Sequence, residues 1–351
     1  AFASGISLFS AAVVSQKAYE ADPDAFGNNP TCSGAFLVES FKRGEKLVLV
    51  ANDNYWGGRP NLDKVEMLYV PEGNSRVIGL KSGDYDVITG VPFNQAKSIG
   101  STSGLNLETK TVFKLEYVYL NHDAAPINNK DVRLALNYAK NHDAIMKAVY
   151  FGYGEKPNSF NPKMSFHDPS VEPIPYDMDK AKELVAKSYD GTKIELNIDA
   201  GNSASKQIAT ILQQGWTEAG LNVEIVEADG GTNWGNITKG DYQATVSYIT
   251  SDINDDDELA ILQADYTGGA NAFFTNYNNP EVTTILRQAR EASAPADRAK
   301  LYSQAQEIVL WDGYSVPLNY TPAMNGYADH VQGWRNLTTG WWWLKDVWLD
   351  K

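Results

Sequence analysis

The chain has 351 residues, enough for two domains with sizeable cores, and its 43% hydrophobic and 21% charged residues are ordinary values for a globular protein. Its formal net charge of −14 at pH 7 argues against nucleic acid as a partner, because binding a phosphate backbone requires clustered Lys and Arg. The single cysteine, Cys32, excludes an internal disulfide and any Cys-x-x-Cys metal or redox site. No apolar run reaches the roughly 18 residues that a transmembrane helix needs.

Residues 1–14 form an apolar segment with the size of a signal-peptide core. No basic residue precedes the segment, and Ser4, Gly5, Ser7 and Ser10 interrupt it. A signal peptide combines a basic start with a continuous apolar run. We therefore expect these residues to be a buried part of the folded domain.

Residues 33–88 predict a ribbon of strands separated by turns. Hydrophobic residues alternate with polar ones along the ribbon, and glycine pairs or Pro60 interrupt the alternation. The predicted strands span residues 36–41, 47–51, 64–70 and 85–88. A short helix over residues 76–81 is expected to end at the turn Ser82-Gly83-Asp84.

The middle and end of the chain predict alternating strands and helices. Residues 114–121 predict a continuous strand, after which Asn128 or Asn129 is expected to cap one long helix that ends at Gly152. A strand–helix–strand unit is expected at residues 193–199, 203–219 and 222–227. Two amphipathic helices are expected at residues 280–292 and 296–311, and a further strand at residues 316–320. Parallel strands joined by a helix indicate an α/β domain.

The most unusual local chemistry lies at residues 248–259, YITSDINDDDEL, where five acidic residues follow a predicted buried strand. Like charges this close repel each other, so the loop has to be solvated, cap a helix or face a cation. One interpretation is an N-cap cluster at the start of a helix near Glu258. Another is a carboxylate that pairs with the ammonium group of a ligand. A calcium loop is excluded, because Asp257 and Gln263 occupy its obligatory glycine and glutamate positions.

Motifs of catalysis are absent from the sequence. The four histidines are scattered without a His-Glu-x-x-His spacing, and neither a Gly-x-Ser-x-Gly elbow nor a phosphate-binding loop is present. Nothing in the sequence shows two carboxylates at the separation that a glycosidase requires. We therefore predict that the protein is not an enzyme and holds neither a cofactor nor a metal.

Three motifs occur together in residues 33–88: SGAF, NDNYWGGRPNLDKVEMLYV and GLKSGDYDV. Their order and spacing resemble those of the periplasmic solute-binding proteins of peptide- and nickel-type ABC importers, as does the later segment DVRLALNYAKNHDAIMKAVYFG. The resemblance implies an α/β, two-lobe periplasmic-binding-protein fold of type II, peptide-binding-like, with lobe I incomplete. It implies a lobe I remnant at residues 1–117, lobe II at 118–320 and a return to lobe I at 321–351.

The resemblance also implies ligand-binding residues. The family has an aromatic-x-x-Asp-x-x-Asp-Pro-Asp loop at residues 248–259, and in its peptide-binding members the first Asp holds the peptide α-amino group. Tyr248 takes the aromatic position. Asp252 is the best counterpart of that Asp, although it lies one residue further along the chain than the pattern expects. Ser251 occupies the position that the spacing requires, and Asp255 is a further alternative. The remaining residues expected near the ligand are Asn121, Trp234, Phe273, Phe274, Asn276 and Tyr277.

The function implied by the resemblance is that of the substrate-binding component of an ABC importer. Such a protein captures a peptide-like solute between two lobes, closes about a hinge and delivers the solute to a permease in the inner membrane. We expect a monomer in the periplasm, or a lipid-anchored extracellular protein in a Gram-positive source. The alternatives are an oligosaccharide- or nickel-chelate-binding receptor of the same fold, a glycoside hydrolase, or a sensor or scaffold lobe that binds a protein.

Overall fold

The structure is a computed structural model that describes residues 7–8, 11–28, 30–268 and 270–350. Of the apolar segment at residues 1–14, residues 11–14 are exposed, and the side chain of Val13 is 98% exposed. The expected burial is wrong for this part, because the following helix, α1 (Gln16–Ala21), buries none of its residues and offers no core to pack against. Most of the other residues of the segment lie outside the described residues.

The chain forms two compact units. The large unit comprises Thr111–Pro322, and the small unit comprises Ser7–Lys110 together with Ala323–Lys351. The lobe boundaries expected from the sequence, at residues 117/118 and 320/321, stay a prediction. Among the residues that the structure describes, no helix has both the length and the apolar character needed to cross a lipid bilayer.

The small unit consists of antiparallel sheets and short helices. Its strands are β1 (Phe36–Lys42), β2 (Lys46–Ala51), β3 (Lys64–Leu68), β4 (Val87–Thr89), β5 (Leu105–Lys110), β11 (Ala323–Ala328), β12 (Val331–Gln332) and β13 (Trp348–Leu349). They form three sheets with the strand orders β1-β2-β3, β4-β11-β5 and β12-β13. Besides α1, its helices are α2 (Pro23–Asn28), α3 (Gly73–Ser82) and α4 (Phe93–Gly100). The predicted turn after the helix is confirmed: α3 ends at Gly83, whose φ of 82° suits glycine, the residue without a Cβ.

The large unit is built on one mixed sheet with the strand order β10-β6-β9-β7-β8. Its strands are β6 (Lys114–Leu120), β7 (Ile194–Asp199), β8 (Val223–Ala228), β9 (Ala244–Thr250) and β10 (Ser315–Tyr320). Its longer helices are α5 (Lys130–Tyr138), α6 (His142–Ala148), α7 (Met178–Ser188), α8 (Ser203–Glu218), α9 (Gly230–Lys239), α10 (Asp256–Ala264), α11 (Pro280–Glu291) and α12 (Pro295–Trp311). The predicted α/β class is thereby confirmed for this unit.

The two crossover helices of the large unit lie on opposite faces of its sheet. Strand β7 is parallel to both β8 and β9 and stands between them. Since crossovers between parallel strands are right-handed, α8, which leads from β7 to β8, and α9, which leads back across β7 to β9, cover different faces. The indole of Trp216 on α8 is fully buried and donates a hydrogen bond to the Leu136 carbonyl at 2.9 Å, which fixes α5 on the α8 face.

The single helix expected after Asn129 is two helices in the structure. Asn129 caps α5 through its side chain, as expected, but the helix stops at Tyr138, and Asn141 caps α6 by accepting from the Ala144 amide at 3.0 Å. Between the helices the buried ammonium of Lys140 donates to the Pro317 carbonyl on β10 at 2.6 Å. This tertiary contact and the second cap end a helix that the apolar periodicity alone would continue.

We predict that Asn141→Ala lowers the free energy of unfolding by about 1 kcal/mol, because the first turn of α6 loses its side-chain acceptor. Chemical denaturation monitored by circular dichroism measures the change. Asn141→Asp is the matched control, since it keeps an acceptor oxygen at the cap and is expected to stay near wild type. Equal losses in both variants would contradict the assignment of the cap.

Candidate ligand-binding edge

Three strands of the large unit end at one edge of the sheet. The parallel strands β7, β8 and β9 have their carboxyl ends there, at Asp199, Ala228 and Thr250. The antiparallel strand β6 begins at the same edge, since Lys114 is the cross-strand partner of Thr250. Ligands of open α/β sheets bind outside the carboxyl ends of the strands, where loop residues converge. We call this region the carboxyl edge.

Tyr248 presents its ring at the carboxyl edge. The side chain lies two residues before the end of β9 and is 57% exposed, which is unusual for an aromatic residue on an interior strand. The ammonium of Lys114 lies 4.7 Å from the centre of the ring. An exposed ring beside a cation is suited to contact the face or side chain of a bound solute.

Ser251 and Asp252 follow β9 directly and differ in their surroundings. Ser251 is buried, and its hydroxyl contacts the Ile253 carbonyl at 2.8 Å and the Glu258 carboxylate at 2.6 Å. Asp252 is partly exposed. Burial raises the pKa of Glu258, the negative charge of Asp252 raises it further, and the Ser251 hydroxyl opposes both effects. Two carboxylates therefore lie close together at this edge, an arrangement that a bound ammonium group would stabilise.

Asp255 and Asp257 of the acidic loop are each paired with an arginine. Asp255 is the N-cap of α10 and accepts two hydrogen bonds from the buried guanidinium of Arg298, at 2.6 and 3.0 Å. Asp257 accepts from Arg290 at 3.0 and 3.1 Å. The N-cap interpretation of the loop is thereby confirmed for Asp255. Asp252 is the partly exposed aspartate nearest the end of β9.

Asp256 is buried where the acidic loop meets the segment before α7. Its carboxylate accepts from the Phe166 amide at 2.8 Å. Burial, assisted by the charge of Asp255, raises the pKa of Asp256 to about 7, although the Phe166 amide opposes the change. The folded state therefore favours the protonated carboxyl group.

We predict that Asp256→Asn stabilises the protein near pH 7.5 by about 2–3 kcal/mol relative to wild type and changes little near pH 4.5. A carboxyl group with a raised pKa makes the folded state less stable as pH rises from its unfolded pKa to its folded pKa. An amide does not ionise and still offers an oxygen to the Phe166 amide. Urea denaturation at a series of pH values measures the difference, and a difference independent of pH would contradict the prediction.

Trp234, Phe273 and Phe274 form an aromatic patch on the other face of the sheet. Their ring centres are separated by 5.4–6.2 Å, and Phe273 lies 5.9 Å from the ring of Tyr119. Tyr119 is the cross-strand partner of Thr245. Because side chains alternate along a strand, Tyr248 projects from the opposite face to Thr245. The structure therefore places this patch and Tyr248 on opposite faces of the sheet, although the sequence predicted that they lie near the same ligand.

Asn121, Asn276 and Tyr277 lie at the far edge of the sheet. Asn121 follows the end of β6, where Leu120 is the partner of Ala244 at the start of β9. The side-chain nitrogen of Asn121 donates to two backbone carbonyls at 3.0 Å, and its side-chain oxygen accepts from Asn276 at 3.1 Å. The buried Tyr277 donates to Asp312 at 2.8 Å. In this structure the polar groups of these three side chains stabilise the fold of the large unit.

Lys114 and Glu116, which no sequence motif marks as candidates, also lie at the carboxyl edge. Glu116 is the cross-strand partner of Tyr248 and accepts from the Tyr150 hydroxyl. Lys114 pairs with Glu116 at 2.7 Å. Both charged residues alternate with buried ones along β6, which indicates that their side chains lie on the same face of the sheet. Only the register between β6 and β9 places them next to Tyr248. Within the described residues, no group of three His, Cys, Asp or Glu side chains is placed to hold a metal ion.

The fold is that of the periplasmic binding proteins of the peptide-binding type. A solved structure of this type is the ABC transporter-associated periplasmic binding protein DppA from Helicobacter pylori in complex with the peptide STSA, with a TM-score of 0.85, 25% identity and coverage of 97% of this chain and 68% of that one. The oligopeptide-binding protein AppA from Bacillus subtilis, in complex with a nonapeptide, gives a TM-score of 0.84 at 22% identity, covering 97% of this chain and 72% of that one.

The chain belongs to family 5 of the bacterial extracellular solute-binding proteins, whose model matches residues 1–271. It is 26% identical to Heme-binding protein A of Haemophilus influenzae over 94% of the chain, and 27% identical to the probable D,D-dipeptide-binding periplasmic protein DdpA of Escherichia coli K12 over 92%. The chain spans 61% and 63% of the lengths of these two relatives. The family and fold class expected from the sequence are confirmed.

Proposed function

We propose that this protein is the substrate-binding component of an ABC importer and that it captures a peptide-like solute with a free amino group. The observation that carries the proposal is the family match over residues 1–271. The protein would act by binding alone, without chemical turnover, and would hand the solute to a membrane permease. Its place of action would be the periplasm or, with a lipid anchor, the outer surface of a Gram-positive cell.

The carboxyl edge supports the choice of an amine-bearing solute. Asp252 is partly exposed beside Glu258, and an ammonium group between them would offset the repulsion of the two carboxylates. At an effective dielectric constant near 20, a charge pair 4 Å apart gains about 4 kcal/mol, before the desolvation of both groups is subtracted. The exposed ring of Tyr248 would then contact the apolar part of the solute.

A thermal-shift screen of the purified protein tests the proposal. The ligand panel contains di- to pentapeptides, glutathione, cello-oligosaccharides and nickel–histidine. A ligand that binds the folded state raises the melting temperature by mass action. We expect a peptide to raise it and N-acetylation of that peptide to abolish the effect. Stabilisation by a sugar or a nickel chelate alone would overturn the amine-binding role of Asp252, and release of a shortened oligosaccharide would overturn the binding-only function.

A further inference from the structure

We infer that a groove on the exposed side of helices α11 and α12 docks a helical segment of a partner protein in which basic residues flank an apolar one. The inference goes beyond the proposed function, because it concerns a surface of the large unit that contains no residue of the carboxyl edge. Three observations carry it: the matching faces of the two helices, the apolar floor and acidic rim of the groove, and the absence of a counter-charge at the rim.

The same spacing of residues on both helices forms the groove. It has a volume of about 570 Å³ and is lined by Glu281, Thr284 and Ile285 of α11 and by Gln304, Glu307 and Ile308 of α12. Residues at positions i, i+3 and i+4 lie on one face of a helix. The short connection at residues 292–294 joins the two helices as an antiparallel hairpin, which brings the two faces side by side.

The floor of the groove is apolar and its rim is acidic. Ile285 and Ile308 are partly buried and pack against the core of the large unit. Glu281 and Glu307 are exposed. A floor of this kind accepts an apolar side chain. The rim suits Lys and Arg, because their methylene stems cover apolar surface while the charged head reaches a carboxylate.

The protein itself supplies no counter-charge at the rim. Among the residues that the structure describes, neither Glu281 nor Glu307 forms an ion pair. The arginines of the two helices pair with aspartates elsewhere: Arg287 with Asp265, Arg290 with Asp257 and Arg298 with Asp255. Lys300, the remaining cation of α11 and α12, does not line the groove. The rim therefore keeps two negative charges that a cationic partner can neutralise.

Charge selects a basic protein segment over the other occupants of such a groove. A second copy of the chain carries the same net charge of −14 and is repelled. Anionic lipid headgroups are repelled by the rim carboxylates in the same way. An amphipathic helix that presents an apolar residue, with Lys or Arg one turn before and after it, complements both the floor and the rim.

Fluorescence anisotropy with three labelled helical peptides tests the inference. Each is alanine-based and has about 18 residues, enough to form a helix in water. The first peptide carries two Leu residues four positions apart, with Lys residues one turn before and after them. The second has Gln in place of Lys, and the third has Ala in place of Leu. The salt concentration is about 0.15 M, at which charges more than about 8 Å apart are largely screened.

Two double variants are compared with wild type. Glu281→Gln/Glu307→Gln removes the charge of the rim. Glu291→Gln/Asp297→Asn is the matched control, because it removes two exposed carboxylates from the same helices at their connected end, outside the groove. All four positions are exposed, and thermal unfolding confirms that both variants are folded.

We expect the first peptide to bind wild type and its affinity to fall about 5- to 30-fold in Glu281→Gln/Glu307→Gln, as for the loss of two exposed ion pairs. The control should change the affinity less than about twofold, since its charges are screened. The second and third peptides should bind wild type more weakly than the first. Equal losses in the two double variants would show a general attraction to an acidic protein and overturn the inference, as would the absence of binding by the first peptide.

Sedimentation equilibrium and vesicle binding distinguish the other occupants. A dimer of wild type that dissociates in Glu281→Gln/Glu307→Gln would assign the groove to a second copy of the chain. Binding to phosphatidylcholine–phosphatidylglycerol vesicles that the same variant loses would assign it to a lipid surface. Either result would overturn the inference. Neither would affect the proposed function, because Glu281 and Glu307 lie outside the carboxyl edge.

Discussion

Replacing Arg298 by methionine is expected to lower the free energy of unfolding by about 3–5 kcal/mol, the cost of removing one partner from a buried ion pair. The side chains of Arg298 and Asp255 are only 9% and 5% exposed, and two hydrogen bonds join them. The guanidinium also lies 4.5 Å from the ring centre of Phe166. Without it, the Asp255 carboxylate is left buried without its counter-charge.

The expected pH dependence follows from the same pair. Burial by itself would raise the pKa of Asp255, but the hydrogen bonds from Arg298 and from the Asp257 amide, together with the charge of Arg298, hold the pKa below its ordinary value. A carboxylate with a depressed pKa contributes stability above its unfolded pKa, and this contribution is lost as pH falls through the folded value. We therefore expect the loss caused by Arg298→Met to be largest at neutral pH and to shrink below about pH 4.

Urea denaturation of three variants tests this prediction. Arg335→Met is the matched control, because Arg335 also pairs with an aspartate, Asp346 at 3.1 Å, and lies over an aromatic ring, but the two side chains of this pair are 55% and 49% exposed. Its loss is expected to cost about 1 kcal/mol or less. The double variant Asp255→Asn/Arg298→Met should recover part of the stability, since asparagine keeps the helix cap and leaves no buried charge. A loss below about 1 kcal/mol for Arg298→Met would show that the pair does not hold the acidic loop.

Asp252→Asn is expected to weaken the binding of a peptide with a free amine by about 2–5 kcal/mol, the cost of removing one member of a buried, hydrogen-bonded charge pair. Asparagine keeps the size of the side chain, so the shape of the edge is retained. The charge of Asp252 raises the pKa of Glu258 in the unliganded protein. Urea denaturation of the unliganded variant separates a binding defect from a folding defect.

Isothermal titration calorimetry with free and N-acetylated forms of the same peptide checks the result. Asp241→Asn is the matched control, because Asp241 is exposed and lies just before β9, at the edge opposite to Asp252. It should bind both forms as wild type does, while Asp252→Asn should bind them equally weakly. Unchanged affinity in Asp252→Asn would exclude it as the amine anchor. Ser251→Ala and Asp255→Asn would then be measured in the same way.

The strand and helix patterns of this chain were largely decided locally. The alternation in residues 114–121 and 193–199 predicted β6 and β7, and the acidic cluster predicted the start of α10 with an N-cap. Local patterns failed where a distant contact intervened. The break between α5 and α6 depends on Lys140 reaching the Pro317 carbonyl on β10, a residue far away in the sequence.

The sequence by itself determined the family, the α/β class and the presence of an acidic loop after a strand, because motif spacing, side-chain period and capping residues are short-range properties. Only the tertiary structure decided which candidate residues share a surface. Strand order and register place Tyr248 and Asp252 with Lys114 at one edge, move Asn121 and Asn276 to the other, and put Phe273 on the opposite face. Residues far apart along a chain become neighbours only when strands pair, and the energy of that pairing is set by packing that no short segment contains.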